Sequence, residues 1–295
     1  KIHYADIGDM PHMLVAGATG SGKTIFLNDV ILSLLYKNSP EILKLVLIDP
    51  KKGVEFSAYN NLPHLLGPVI SDAQETINAL HWLIQEMERR FLLLKQQRTR
   101  NIFRYNELMS RKKKKLMPYI VLIIDELADL MSARGKELEA LIVRLVQKAR
   151  AVGIHLVLAT QRPSVEVITG TIKANINTRV AFQVASQVDS RTILDMAGAE
   201  KLLGKGDMLY ILKAAVKPKR VQSPYVSEKE VEKVVDYIIE KNQGWFDLIS
   251  EDEEEFNLIQ DFKEALESNK EEDFSGLFEE DEQLYKRAKE LVIEE

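Results

Sequence analysis

Residues 17–24 read Gly-Ala-Thr-Gly-Ser-Gly-Lys-Thr and fit the phosphate-binding loop pattern G-x-x-x-x-G-K-[S/T] at every position. The apolar run 13–16 before the loop predicts a buried strand, and apolar residues recur at helical spacing after it. A loop between a strand and a helix points its backbone N–H groups and the positive end of the helix dipole toward phosphate oxygens. The sequence therefore predicts a nucleoside triphosphatase that binds ATP through Gly17, Ala18, Thr19, Gly20, Ser21, Gly22, Lys23, Thr24 and Ile25.

A second apolar run, residues 119–124, ends in Asp125 and Glu126. We expect Lys23 to neutralise phosphate charge, Asp125 and Thr24 to hold Mg²⁺, and Glu126 to orient and deprotonate the attacking water. An acid directly after the Mg²⁺-binding aspartate favours hydrolysis over kinase-type transfer. The alternative is that both carboxylates only cap the next helix.

Gln161 follows the next apolar run, residues 154–159. An amide at the end of that strand predicts a sensor that hydrogen-bonds the γ-phosphate or the attacking water. The alternative, a loop amide with no such role, is equally consistent with the sequence.

Strand-like runs at 45–48, 120–124 and 154–159 alternate with helical patterns. This alternation predicts an α/β fold with a mainly parallel sheet and helices on both faces, with ligands at the carboxyl ends of the strands. A closing strand is expected at 207–211. The polar stretch 98–117, with its basic run 111–115, is interpreted as a solvated surface loop rather than as a DNA contact.

Charge is unevenly distributed along the 295 residues. Residues 250–295 carry 18 Asp/Glu and five Lys/Arg, whereas residues 1–249 carry 27 acids and 35 bases. A basic body is compatible with a polyanionic partner. The chain has no cysteine, which excludes disulfides and thiolate zinc sites, and its five histidines lack metal-ligand spacing. It has no apolar run long enough to span a membrane.

Seven further motifs occur in an order that few families share. They are PHMLVAG at 11–17, IDPK at 48–51, DELADLM at 125–131, ARAVGIH at 149–155, ATQRPS at 159–164, IKANI at 172–176 and DSRTILD at 189–195. Together they resemble the motor domain of the FtsK/SpoIIIE double-stranded DNA translocases, over roughly residues 3–240. The resemblance implies a RecA-like fold, a homo-hexameric ring and double-stranded DNA in its channel.

The resemblance also implies roles for individual residues. It makes Arg150 an arginine finger that reaches the γ-phosphate of the neighbouring subunit, although Arg150 could instead be a cationic helix C-terminus. Arg179 could belong to the channel or form an ion pair within the chain. Position 187, often lysine in this family, is Gln187, which weakens the basic lining. The implied DNA-backbone contacts are Thr160, Arg162, Lys173 and Arg191.

The resemblance finally implies a domain organisation and a role. Residues 1–243 correspond to the motor, and residues 244–295 to an acidic linker followed by the truncated start of a winged helix at 281–295. The chain does not begin with Met, so we expect an excerpt of a longer protein that is membrane-anchored at the inner face of the bacterial cytoplasmic membrane. The expected role is ATP-driven DNA translocation in chromosome segregation and cell division. Protein secretion on the same fold and a nucleotide-dependent scaffold are the alternatives.

Overall fold

A seven-stranded sheet forms the centre of the molecule, and the computed structural model describes residues 2, 4–212, 217–245 and 253–268. The strand order is β2-β3-β4-β1-β5-β6-β7. The first five strands in this order are parallel to one another, whereas β6 pairs antiparallel with β5 and β7 pairs antiparallel with β6. This confirms the predicted α/β fold with a mainly parallel sheet. The strands are β1 (His12–Ala16), β2 (Leu43–Ile48), β3 (Tyr119–Ile124), β4 (Ile154–Thr160), β5 (Thr178–Phe182), β6 (Asp207–Ile211) and β7 (Lys219–Gln222).

Helices cover both faces of the sheet. Helices α1 and α7 contribute to the hydrophobic core of one face, and α2, α4, α5, α6 and α8 contribute to that of the other. The described helices are α1 (Lys23–Leu35), α2 (Ala73–Gln96), α3 (Ile102–Arg111), α4 (Leu127–Lys148), α5 (Gly170–Asn175), α6 (Gln187–Leu194), α7 (Glu228–Lys241) and α8 (Glu253–Glu267). None of them is long and apolar enough to cross a membrane.

The position of β1 in the middle of the sheet explains why four of its five residues are apolar. Leu14 and Ala16 point into one core, and Met13 and Val15 point into the other. Because successive side chains of a strand face opposite sides, a strand covered by helices on both sides buries every residue. The phosphate-binding loop therefore starts from a rigid strand at the middle of the sheet.

The stretch 98–117 corrects the expectation of a loop. It contains α3, whose N-cap Asn101 accepts a hydrogen bond from the N–H of Arg104 at 3.0 Å. Ile102 and Met109 are buried on its inner face, while the cations at 111–114 are exposed. The prediction failed because the helix has only two buried residues and lies next to a run of like charges, which together obscure its periodicity.

Helix α8 corrects the expectation of an acidic linker for the part of the tail that forms it. Phe262 is fully buried and its ring packs edge-on against Trp82 of α2, with ring centroids 5.0 Å apart. Leu266 lies beside it in the same core. The polar side of α8 carries the acids that dominate the composition, so net charge concealed an amphipathic helix. The predicted winged-helix start at 281–295 lies outside the described residues.

Candidate nucleotide-binding site

The phosphate-binding loop has a shape that only glycine permits at two positions. A Cβ on Gly17 would lie 2.5 Å from the Cβ of Phe182. Gly22 has φ 111°, and a Cβ there would lie 2.5 Å from the amide nitrogen of Gly206. That same N–H donates to the carbonyl of Ser21 at 2.8 Å. The loop is therefore held between β5 and the turn before β6.

Lys23 and Asp125 form a buried pair at the carboxyl ends of β1 and β3. The ammonium of Lys23 lies 2.6 Å from both the carbonyl oxygen and Oδ1 of Asp125, and the two residues are 3% and 0% exposed. Buried charges of this kind require partners of opposite sign. A triphosphate with its Mg²⁺ supplies an anion for Lys23 and a cation for Asp125, so the pair fits this ligand.

Thr24 follows Lys23 in the first turn of α1. Among the described residues, no three His, Cys, Asp or Glu side chains cluster as a metal site. Mg²⁺ in triphosphatases typically binds through one or two protein oxygens together with waters and phosphates. Thr24 and Asp125 offer that limited set, and with Mg²⁺ bound they would fix it beside the phosphates and neutralise developing charge.

Glu126 is the N-cap of α4, yet its carboxylate also faces the end of β4. It accepts hydrogen bonds from the N–H of Ala128 at 3.3 Å and from the hydroxyl of Thr160 at 2.6 Å. The N–H of Gln161 lies 3.0 Å from Oε2 and 3.2 Å from Oε1. Capping and a place in the site therefore coexist for Glu126, so the two interpretations of this acid are not exclusive.

The position of Thr160 corrects its expected contact with DNA. Its side chain is 0% exposed because it is the last residue of β4, paired with Ala16 in the middle of the sheet. A buried hydroxyl that already bonds Glu126 cannot reach the backbone of a duplex outside. Thr160 is instead a partner of the candidate catalytic acid, which sequence spacing alone did not indicate.

Gln161 lies beside the phosphate-binding loop, as the sensor hypothesis requires. Its Oε1 accepts a hydrogen bond of 2.7 Å from the hydroxyl of Thr19, in the middle of the loop. The structure thus brings together Lys23, Thr24, Asp125, Glu126 and Gln161, all at the carboxyl edge of the sheet. The role of the amide as a sensor stays a prediction.

The loop after β2 adds two residues that were not predicted. The ammonium of Lys51 lies 3.5 Å from Oδ2 of Asp125. Burial raises the pKa of Glu55, with Asp125 adding to the rise and the Lys51 and Lys23 cations opposing it. Buried Asp49 holds this turn in place by accepting the N–H groups of Lys51 and Glu55 at 3.0 and 2.8 Å. The sequence feature that could have indicated Lys51 is its place directly after the Asp-Pro pair at the end of β2.

Replacing Lys51 with alanine is expected to lower ATP turnover about tenfold or more, because a preorganised cation next to the phosphates stabilises charge that develops in the transition state. Lys52→Ala is the matched control, since Lys52 is its exposed neighbour. Steady-state ATPase assays at saturating ATP measure both. Equal turnover in the two variants would show that Lys51 takes no part in hydrolysis.

Arg150 lies at the opposite edge of the sheet from the phosphate-binding loop. It precedes β4, whose seven residues separate it by about 20 Å from the site at the other end of that strand. Its guanidinium is exposed and donates to the carbonyl of Gly8 at 3.3 Å. Burial, with His155 and Arg150 nearby, lowers the pKa of His12 to about 3, so the imidazole beneath Arg150 is neutral.

No carboxylate within the ranges 4–212, 217–245 and 253–268 lies at ion-pair distance from Arg150. The guanidinium is thus too distant to serve the nucleotide of its own chain and remains available to another molecule. Its role as an arginine finger stays a prediction.

Two of the expected DNA contacts are exposed cations. The side chain of Arg162 is 69% exposed and lies 3.4 Å from Oδ1 of Asp129. Arg191 is exposed on α6. Both follow the carboxyl edge of the sheet, Arg162 directly after β4 and Arg191 on the helix after β5. They can approach an external polyanion without rearrangement of the core.

Lys173 is less accessible than expected because it is paired within the chain. Its ammonium lies 2.9 Å from Oδ1 of Asp195, and its side chain is 19% exposed. Arg179 bonds the same carboxylate and donates to the carbonyl of Lys173 at 2.9 Å, so the ion-pair interpretation of Arg179 is confirmed. Burial opposes ionisation of Asp195, but hydrogen bonds from both cations hold its pKa below the usual range. A duplex would have to compete with Asp195 for Lys173.

The model of the FtsK/SpoIIIE family matches residues 1–165, more than half of the chain. The chain belongs to the FtsK/SpoIIIE family. It is 53% identical over 268 residues to the DNA translocase FtsK of Clostridium tetani (strain Massachusetts / E88), an alignment that covers 90% of this chain and 35% of that relative. The chain therefore spans about one third of the length of the curated relative it matches.

Two solved structures share the fold of this FtsK/SpoIIIE chain. The pCW3 conjugation coupling protein TcpA, as a monomer with ATPγS, is 29% identical with a TM-score of 0.71, covering 81% of this chain and 66% of its own. The cytoplasmic domain of the type VII secretion ATPase EccC of Thermomonospora curvata is 27% identical with a TM-score of 0.68, covering 77% and 28%. The RecA-like arrangement of this chain, with the phosphate-binding loop following the central strand, is the one expected of the FtsK/SpoIIIE family.

Proposed function

We propose that this chain is the ATP-hydrolysing motor of a double-stranded DNA translocase. The observation that carries the proposal is the likeness to the DNA translocase FtsK of C. tetani over 90% of the chain. It is joined by the candidate catalytic side chains Lys23, Asp125 and Glu126, which lie together at the carboxyl ends of the strands. Lys23 would bind the β- and γ-phosphates, Thr24 and Asp125 would hold Mg²⁺, and Glu126 would accept a proton from the attacking water.

The proposed motor works as a homo-hexamer with Arg150 completing the site of the neighbouring subunit. The distance between Arg150 and its own phosphate-binding loop supports action in trans. A cation near the amino-terminal end of β4 can reach only the nucleotide of another chain. The proposed place of work is the inner face of the bacterial cytoplasmic membrane, within a longer anchored protein, during chromosome segregation and cell division. Exposed Arg162 and Arg191 would grip phosphates without reading bases, as a motor indifferent to sequence requires.

Protein secretion is the second candidate, because the secretion ATPase EccC shares the fold at 27% identity. The two functions differ in the substrate that cations must hold. A duplex presents a regular row of phosphates, whereas a polypeptide has no regular anionic backbone. The exposed arginines at the carboxyl edge favour DNA.

Duplex DNA is expected to raise ATP turnover several-fold, and the DNA concentration for half-maximal effect should rise steeply with salt because phosphate contacts release counterions. The double change Arg162→Ala and Arg191→Ala should reduce the log–log salt slope by about 2. Arg100→Ala is the control, an exposed arginine between α2 and α3. Turnover that ignores duplex DNA at low salt but responds to an unfolded polypeptide would favour secretion.

A further inference from the structure

The last residue of β4 and the two residues after it connect the candidate catalytic acid to the surface. Thr160 donates its hydroxyl to Oε1 of Glu126 at 2.6 Å, and the Gln161 N–H donates to the same carboxylate. The Thr160 hydroxyl oxygen also accepts the N–H of Arg162 at 3.0 Å. One short segment, residues 160–162, therefore contacts Glu126 from inside the protein and presents Arg162 outside. We refer to residues 160–162 as the β4 latch.

Helix α4 closes this connection into a ring of contacts. Arg162 lies 3.4 Å from Oδ1 of Asp129, which is three residues after Glu126 on the same helix turn. The ion pair thus fastens the outer end of the latch to the helix whose first turn carries the catalytic acid. Gln161 also bonds Thr19 of the phosphate-binding loop, so the latch contacts both halves of the nucleotide site.

The hydrogen bonds to Glu126 affect what its carboxylate can do. A carboxylate has about four lone-pair sites, and here the donors Thr160, Gln161 and Ala128 occupy most of them. To take a proton from water, an oxygen must have a lone pair directed at that water. All three donors reach Oε1, whereas only the Gln161 N–H reaches Oε2, so together they hold the carboxylate toward the end of β4. If the carboxylate has to turn away from β4 to meet the attacking water, the Thr160 hydroxyl must release Oε1.

We propose that Thr160 is a positioning residue that holds Glu126 away from water, and that a DNA phosphate which draws Arg162 from Asp129 releases it. The inference rests on the proposed function, because it names the path by which the DNA contact reaches hydrolysis. Exposed ion pairs are weak, so a row of phosphates can displace Asp129 from Arg162. Loss of that anchor shifts the Arg162 backbone, whose N–H orients the Thr160 hydroxyl.

The first test replaces Thr160 with valine, which has a similar volume and no hydroxyl. ATP turnover without DNA is expected to rise at least threefold, and the ratio of DNA-stimulated to basal turnover should fall toward one. Thr160→Ser restores the hydroxyl and is expected to restore the wild-type ratio. If basal and stimulated turnover fall together in the valine variant, Thr160 supports the site only by packing and the proposal is wrong.

The second test acts on the surface and leaves the core intact. Asp129→Asn removes the carboxylate partner of Arg162 and should raise basal turnover while lowering the DNA concentration for half-maximal stimulation. Glu166→Gln is the matched control, since this exposed acid follows Arg162 by four residues and bonds Ser164 instead. If the two variants respond equally, the effect of Asp129→Asn comes from the loss of a surface charge. The proposed link between the Arg162 ion pair and Glu126 would then be wrong.

The proposed function and the β4 latch can fail separately. Wild-type turnover that does not respond to duplex DNA contradicts the proposed function. A wild type that responds, together with Thr160→Val and Asp129→Asn variants that keep the wild-type ratio, contradicts the latch alone.

Discussion

Arg150→Ala is expected to lower DNA-stimulated ATP hydrolysis about 10³-fold while ATP binding stays at the wild-type level. A guanidinium supplied from a neighbouring subunit stabilises charge on the transferred phosphoryl group in the transition state and contributes on that order. Arg150 cannot act on its own nucleotide, because it lies at the other end of β4 from the site. Binding of a fluorescent ATP analogue and steady-state hydrolysis measure the two properties separately.

Lys148→Ala is the matched control, because Lys148 is exposed two residues earlier and ends α4. A cationic helix C-terminus would make both changes mildly destabilising and equal in effect, whereas a finger makes only Arg150 essential. Loss of ATP binding in Arg150→Ala, or a lower melting temperature without a specific loss of turnover, would assign Arg150 a structural role.

Mixed assemblies test whether Arg150 acts across a subunit boundary. Lys23→Ala is expected to abolish hydrolysis, because its ammonium would no longer reach the phosphates. When Lys23→Ala and Arg150→Ala chains are combined, some sites pair an intact Lys23 with an intact Arg150 from the adjacent chain, and partial activity should return. Mixtures that regain no activity under conditions where rings form would contradict a finger acting in trans.

The parts of the fold that could be predicted are those with local signals. Residues 13–16 of β1 and residues 119–124 of β3 are continuous apolar runs, and each run is followed directly by residues of the candidate site. By contrast, β5 (Thr178–Phe182) and β7 (Lys219–Gln222) went unpredicted, because β5 is short and interrupted by Arg179, and β7 is a polar edge strand. Such strands exist through pairing with their neighbours, which a local pattern does not reveal.

The same distinction separates the site residues that were predicted from those that were not. Lys23 and Asp125 stand at positions that the loop and the strand define. Thr160 looked equally suited to the surface until its register beside Ala16 placed it in the sheet. The pairing of Lys173 with Asp195 joins the ends of α5 and α6, 22 residues apart, and depends on how those helices pack. Contacts between elements decide which cations remain free for a partner.

Glu126→Gln is expected to lower ATP turnover by about 10²–10⁴-fold, the usual contribution of a positioned general base. The amide keeps the size of the side chain, and its single oxygen can still accept the Thr160 hydroxyl, so the fold and ATP binding should persist. The variant should therefore hold ATP without consuming it. Single-turnover hydrolysis and ATP-analogue binding give the two quantities.

Glu137→Gln on the same helix is the control, because Glu137 pairs with Arg134 away from the loop and its side chain is 36% exposed. It removes the same charge from α4, so any effect of net charge on DNA binding appears in both variants, whereas loss of proton transfer appears only in Glu126→Gln. A turnover reduced by less than tenfold in Glu126→Gln would mean that another group accepts the proton. Glu55, a partly buried acid near Asp125, would then be the residue to replace next.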